Sequence, residues 1–298
     1  MDAAGWRATA REVEAIGFDV LHLADHVVDG LPTPAVALAI AAEATERLVL
    51  GEMVRAVDFR HPALLAREAA LLADLSGGRY ELGLGAGHAK PEWDAIGLPF
   101  DDPGVRVGRL DEAVQIVRRL LAGETLTFAG EHYSITEHRT WPVPATPPPI
   151  LVGGNGDRLL RLAARHADIV GYTGFGAKPA GAGMSLTHFS AAGLDDRTAY
   201  VRAQAGGRPV RGQVLVQLVV VTSDRRSVAE DLSARYGAEP DVLLDSPFLL
   251  LGTHEQLADQ LRERSERWDI ETWTVFDGIP GTDMTRTTLA PVIDHLRG

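Results

Sequence analysis

The sequence contains no cysteine. That absence removes disulfides, thiolate nucleophiles, iron–sulfur clusters and cysteine zinc sites, while leaving the cellular compartment open. Long apolar runs are missing too: the longest, such as Val214 to Val221, are too short to cross a bilayer. The opening "MDAAGWRATAREVEAIG" is an amphipathic helical pattern and lacks the charged, apolar and small-residue succession of an export signal, so a cytoplasmic protein is expected. Positive charge is in deficit, with 29 Lys and Arg against 41 Asp and Glu, giving a formal net charge of -12. This balance disfavours nucleic acid and anionic membrane surfaces as partners and leaves small molecules as the expected ones. No internal repeat or dividing linker stands out, and at 298 residues and 45% hydrophobic the chain can bury a full core. A single domain over residues 1–298 is expected.

What the sequence does have is alternation. Strand-like runs at Phe18 to Leu23, Leu48 to Val54, Tyr80 to Leu84, Ile150 to Gly153, Ala167 to Gly171, Gln213 to Thr222 and Glu271 to Phe276 are interleaved with helical patterns. The helices are expected at Arg7 to Ile16, Pro34 to Thr45, Pro62 to Leu75, Val105 to Leu121, Asp157 to His166, His254 to Trp268 and Thr288 to Arg297. Such interleaving predicts an α/β fold of parallel strands joined by helical crossovers. It is interrupted at about 124–148, where two strand-like pieces flank Ala129-Gly130 and a Pro-rich run follows. The Gly-, Ala- and Pro-rich "TGFGAKPAGAGMS" suits a mobile lid over about 173–190. Seven parallel-type strands are countable, where a (β/α)8 barrel needs eight, because Met1 to Gly5 is too short to supply a strand before the first helix. A doubly wound open sheet is the alternative, and pattern favours the barrel only mildly.

Four stretches carry candidate chemistry. In "ELGLGAGHAKPEW" the glycines sit at a strand end, but Pro91 and the lack of an immediate helical run argue against a dinucleotide fingerprint. Glycines that merely permit close packing are the alternative. In "ILVGGNGDRLLRLAARHAD" a strand runs into Gly153, Gly154, Asn155 and Gly156, and Asp157 opens a helix. Backbone N–H groups and the helix dipole converge there, as a phosphate site requires, although an ordinary Asn-Gly turn with Asp157 as N-cap fits equally. "DVLHLADHV" ends a strand in Asp25-His26. The spacing of His22 and His26 does not put both on one face, so no metal site is expected, and His26 can exchange a proton or pair structurally with Asp25. Glu52 and Arg55, at another strand end, could line a pocket or pair, but charges at such ends are usually solvated.

The phrases "GFDVLHLADH", "LVLGEMVRAVDFRHPALLAREAALLADLSGGRYELGLGAG", "PPPILVGGNGDRLLRLAARHADIVGYTG" and "LLLGTHEQLADQLRER" closely resemble the luciferase-like monooxygenase superfamily. "DFRHP...LLAREAA" and "LSGGRYELGLGAG" are similar to its branch that uses coenzyme F420, a deazaflavin. The resemblance runs in order over nearly the whole chain. It implies a TIM-type (β/α)8 barrel with an insertion after the fourth unit and the cofactor at the carboxyl ends of the strands. It further implies a non-prolyl cis peptide at Met53-Val54 pressing on the deazaflavin, contact of Asp25-His26 with the ring, and cofactor contacts from Gly85, Ala86, Gly87, Gly153, Gly154, Asn155 and Gly156. Two departures stand out. The usual first strand is missing: either the sequence starts too late, or the barrel is open between its first helix and last strand, and an open edge would need covering, for example by a partner chain, as in a homodimer. And His88 stands where the sugar-phosphate dehydrogenases of the branch hold a glutamate.

The expected function is therefore an F420-dependent oxidoreductase, moving a hydride between the deazaflavin and a small organic substrate, with His26 and His88 as acid–base candidates. The same constellation would serve reduction of C=C or C=N bonds or oxidation of an alcohol. The alternatives are an FMN-dependent monooxygenase of the same fold and a non-catalytic barrel acting as a subunit or ligand-binding module. Pocket walls are expected from the lid, the Trp141 region and the residues after Phe276.

Overall fold

A computed structural model of the chain describes residues 2–28, 30–177, 184–278 and 284–298. They form two compact units, Met1–Gly153 with Arg165–Ile169, and Gly154–Ala164 with Val170–Gly298. In the first unit, helix α1 (Ala3–Ile16) starts on Asp2, whose Oδ1 accepts the Gly5 N–H at 2.7 Å, and stops at Gly17, where φ is 103°. Strand β1 (Val20–Leu23), α2 (Pro34–Ala44), β2 (Val49–Glu52), β3 (Arg55–Ala56), α3 (Pro62–Leu75), β4 (Tyr80–Gly85), α4 (Lys90–Ala95) and α5 (Pro103–Leu121) follow. The insertion is an antiparallel hairpin of β5 (Leu126–Ala129) and β6 (Ser134–His138), as expected, and β7 (Ile150–Gly153) resumes the parallel pattern. The strands pair in parallel in the order β1, β2, β4, β7, with β3 also on β4.

Helix α6 (Asp157–His166) and β8 (Ile169–Tyr172) lead into the second unit. It continues with β9 (Gly176–Ala177), β10 (Met184–Ser185), α7 (Ala191–Ala205), β11 (Arg211–Leu215), β12 (Leu218–Val221), α8 (Arg225–Tyr236) and α9 (Pro240–Leu244). Then come β13 (Leu249–Gly252), α10 (His254–Trp268), β14 (Ile270–Thr274) and α11 (Arg286–Arg297). Here β8, β11 and β14 lie in that order, and β12 pairs in parallel with β13. In neither unit does the strand order turn back on itself. A doubly wound sheet requires such a reversal, so the winding is that of the TIM-type (β/α)8 barrel, with no strand before α1 among the described residues.

Strand β4 explains why the first unit packs as it does. Its even positions, Tyr80, Leu82 and Leu84, are buried under α3, which offers Leu65, Ala66, Ala69, Leu72 and Ala73 at helical spacing. Each fully buried leucine contributes about 1.5–3 kcal/mol. The odd positions, Glu81, Gly83 and Gly85, face the other way. A side chain on Gly83 would strike the Glu52 carbonyl, and one on Gly85 would strike Val54. Gly83 and Gly85 of "ELGLGAG" are therefore needed because the bend after β2 lies directly on them. On the same face, Gly51 stands in register between His22 and Glu81, and its bare backbone lets His22 Nε2 reach Glu81 Oε1 at 2.6 Å.

Several elements differ from expectation. The run Leu48 to Val54 is not one strand: β2 stops at Glu52, the Met53-Val54 peptide bond is cis, and β3 begins at Arg55. The run Gln213 to Thr222 also divides, because Val216 N–H donates to Thr274 while Gln217 N–H donates to Phe248, so β11 and β12 serve different ladders. The partner of β12, β13, is a run of three buried leucines and a glycine, too short for its period to distinguish a strand from a helix. A helix does follow "GLGAGH", since Pro91 sits in the first turn of α4, where a missing N–H costs nothing. Glu52 and Arg55 are not solvated but buried, with relative exposures of 0% and 5%. Glu52 accepts from Arg55 Nε at 2.9 Å and from the Tyr80 hydroxyl at 2.7 Å, and Arg55 Nη1 donates to Glu68 at 2.7 Å. Burial pushes the Tyr80 phenol well above its ordinary value, which keeps it a donor.

Of the expected lid, residues 178–183 lie outside the described residues, as do 279–283 after Phe276; β9 and β10 on either side of the first gap pair antiparallel. No helix of the described residues is long and apolar enough to cross a membrane.

Gly83→Ala is expected to lower stability by about 1–3 kcal/mol, because its neighbour is backbone and cannot swing aside. Urea denaturation would measure this; an unchanged midpoint would contradict the packing account.

Candidate functional site

In the first unit the chain leaves β1 and presents Asp25 and His26, and it leaves β4 through Ala86, Gly87 and His88. The two imidazoles meet edge to face, with ring centres 5.3 Å apart and planes at 89°. Of the two readings of His26, a structural hydrogen bond to Asp25 is not the one formed, although the two charges are near enough to interact. His26 Nδ1 lies 2.7 Å from Oε1 of Glu92 on α4, and Glu92 Oε2 accepts the Val27 N–H at 2.9 Å. Asp25 instead sits near Arg55, Arg60 and the Ala56 N–H; its burial outweighs these partners and pushes its carboxyl above the ordinary range.

The loop that carries His88 is held from beneath. Arg106 of α5 donates from Nη1 to the carbonyls of Ala86, at 3.0 Å, and Gly87, and from Nε to the Asp101 carbonyl at 2.9 Å, while its guanidinium lies 4.1 Å from the centre of the Phe100 ring. Gly87 has φ 73°, and the Trp93 indole occupies the space a side chain would need. Although His88 is exposed as a residue, desolvation by the atoms packed around its ring is the first cause that lowers its pKa, and the neighbouring His26 adds to it, with Glu92 opposing. Met53, Val54, Gly85 and Gly153 also belong to this unit, with Val54 against Gly85 and Gly153 at the end of β7.

In the second unit, Gly154, Asn155 and Gly156 precede α6. Asn155 is buried; its Nδ2 donates to the carbonyls of Phe175 at 3.1 Å and Thr187 at 3.2 Å, while Oδ1 has no partner among the described residues. Asp157 is engaged by Arg197 Nη1, and the buried Arg197 Nε is left without a partner among the described residues. A side chain added at Gly156 would meet open space. The backbone N–H groups at the start of α6 are of the kind that accept an anion.

Three residues of these clusters were not singled out from sequence. Glu92 was the most accessible, four residues beyond His88 and in a segment taken as irregular because of Pro91. Arg106 and Arg197 carried no local signal, since each acts at a point about 20 to 40 residues away in the chain.

The lowered pKa of His88 has a sign. Above about pH 6.5 both folded and unfolded forms are neutral there; as pH falls below that, the unfolded chain binds the proton first, and stability is lost down to the folded value. His88→Gln removes that contribution, so urea midpoints at about pH 7 and about pH 5 should lie closer together than in the parent. An identical spread would contradict the lowered pKa of this ring.

Comparison with known proteins agrees with this architecture. Residues 1–239 match the family model described as luciferase-like monooxygenase. The F420-dependent glucose-6-phosphate dehydrogenase of Intrasporangium calvum is 34% identical over 185 residues, which cover 55% of either chain. The chain thus spans about half the length of the curated relatives it matches. Among solved structures, an F420-dependent secondary alcohol dehydrogenase in complex with an F420-acetone adduct superposes with a TM-score of 0.77 at 18% identity, covering 100% of this chain and 96% of that one. The coenzyme F420-dependent tetrahydromethanopterin reductase from Methanopyrus kandleri gives 0.75 at 17% identity, covering 99% and 96%. With its parallel strands wound in chain order and its strand-end histidines, the chain belongs to the luciferase-like monooxygenase family.

Proposed function

We propose that the chain is an F420-dependent oxidoreductase that moves a hydride between the deazaflavin and a small organic substrate, reducing a C=C or C=N bond or oxidising an alcohol. The observation that carries this reading is the pair of imidazoles at the ends of β1 and β4, edge to face with ring centres 5.3 Å apart and one of them held by a carboxylate. Relatives named as F420-dependent dehydrogenases support the choice of cofactor. In the first unit, Asp25, Met53, Val54, Gly85, Ala86 and Gly87 are the residues that would meet the ring. In the second unit, taken by itself, Gly154, Asn155 and Gly156 lead into α6, whose first-turn N–H groups would take a phosphate. Gly153 ends β7 in the first unit.

Bound F420 supplies the carbon that gives or takes the hydride. The protein moves the accompanying proton. His26 Nε2, which has no hydrogen-bond partner among the described residues, donates or accepts it, and His88 is the second acid–base group. Arg106 keeps the His88 loop from shifting by binding two of its carbonyls. Placement of this kind governs whether a proton donor within hydrogen-bond reach is productive.

Titration of the purified protein with F420 and, separately, with FMN should give saturable binding of F420. Tight binding of FMN with none of F420 would replace this reading by an FMN monooxygenase. In a working turnover assay, His26→Ala and His88→Ala are each expected to lower kcat by about 100-fold or more. Unchanged rates in both variants would remove the assignment of these histidines.

A further inference from the structure

We infer that Glu92 is a positioning residue that fixes the tautomer of His26, holding its proton on Nδ1 and leaving Nε2 as the nitrogen that exchanges protons. The inference deepens the proposed function, on which only its kinetic consequence rests. Its ground is the pair of contacts made by one carboxylate. Oε2 of Glu92 faces the backbone N–H of Val27 at 2.9 Å, and a backbone N–H can only donate. Oε1 faces His26 Nδ1 at 2.7 Å, within the range of a charge-assisted bond. The Glu92 side chain is only 10% exposed, so water does not readily take over either contact. An ionised carboxylate accepts at both oxygens and satisfies both donors at once, provided that Nδ1 carries hydrogen.

Two features follow from this arrangement. The carboxylate grips the ring of residue 26 and the backbone of residue 27 together, so it sets both the orientation of the imidazole and its proton. It also places a negative charge against the side of the ring opposite Nε2, where it balances the imidazolium formed when Nε2 takes a proton. Neutral His26 is then a base at Nε2 and its cation an acid at the same atom, as a reversible hydride transfer with proton balance requires.

Substituting glutamine makes the assignment testable, because an amide has one acceptor atom and one donor atom. Val27 N–H claims the oxygen, which turns the NH2 group towards His26 Nδ1. Glu92→Gln should thus invert the tautomer, with Nδ1 unprotonated and Nε2 carrying the hydrogen.

The experiment is long-range 1H–15N correlation of the 15N-histidine-labelled protein without cofactor, at a pH where the ring is neutral, with His26 assigned by loss of its signals in His26→Gln. The expected result is an Nδ1–H ring in the parent and an Nε2–H ring in Glu92→Gln. An Nε2–H ring in the parent overturns the inference without any variant being needed, and so does an unchanged tautomer in Glu92→Gln. Failure of the protein to bind F420 would defeat the proposed function and leave this result standing. If F420 binds, Glu92→Gln should lower kcat at least tenfold while changing cofactor affinity less than twofold; a loss confined to affinity would assign Glu92 to binding instead.

Discussion

The close approach of the bend after β2 to the bare face of β4 is the constraint on which the first unit depends. The Glu52 carbonyl and Val54 side chain lie where side chains of residues 83 and 85 would otherwise be, so the two segments can meet only if both positions are glycine. On the opposite face, the side chain of the same Glu52 is locked by Arg55 and Tyr80. One residue is thus held through its backbone on one side of the sheet and its carboxylate on the other. A buried carboxylate with only one of these donors would be costly, and removal of a partner from such a pair typically costs about 3–5 kcal/mol. The bend, and with it the surface formed by Met53, Val54 and Gly85, is fixed before any ligand arrives.

Much of this was legible in the sequence, for definite physical reasons. Helices with Pro at their start and strands of branched residues state their periods openly, and the parallel order follows from their alternation. Asp25-His26 and the loop through His88 could be placed because strand ends are where such folds concentrate polar chemistry. What stayed hidden depends on tertiary contact. A carboxylate at Glu52 looks the same in sequence whether solvated or wholly buried, and the difference lies in Tyr80 and Glu68, which are brought near by packing. Glu92 is hard to see in sequence because Pro91 reads as a break, although a proline in the first turn starts a helix as readily as it ends one. Its bond to His26 depends on α4, which only the fold reveals.

The two histidines show how a single loop differentiates similar groups. The pKa of His88 is lowered by desolvation from the atoms packed around its ring, with the proximity of His26 adding to it, whereas His26 has the Glu92 carboxylate directly against its ring. The same side chain type thereby meets two different surroundings with ring centres 5.3 Å apart. Arg106, buried beneath the loop, contributes by geometry: its bonds are to carbonyl oxygens of Ala86 and Gly87, which point the loop without adding a hydrogen-bonding group to its exposed side.

The joint at Val216 and Gln217 bears on how the second unit tolerates change in length. Residues before it are registered against β14 and residues after it against β13, with each ladder fixing which face every side chain occupies. An extra residue inside either ladder would turn all later side chains of that strand to the wrong face. An extra residue at the joint displaces neither register, so this is the point in the run where an insertion can be absorbed and the two halves can drift apart over evolutionary time.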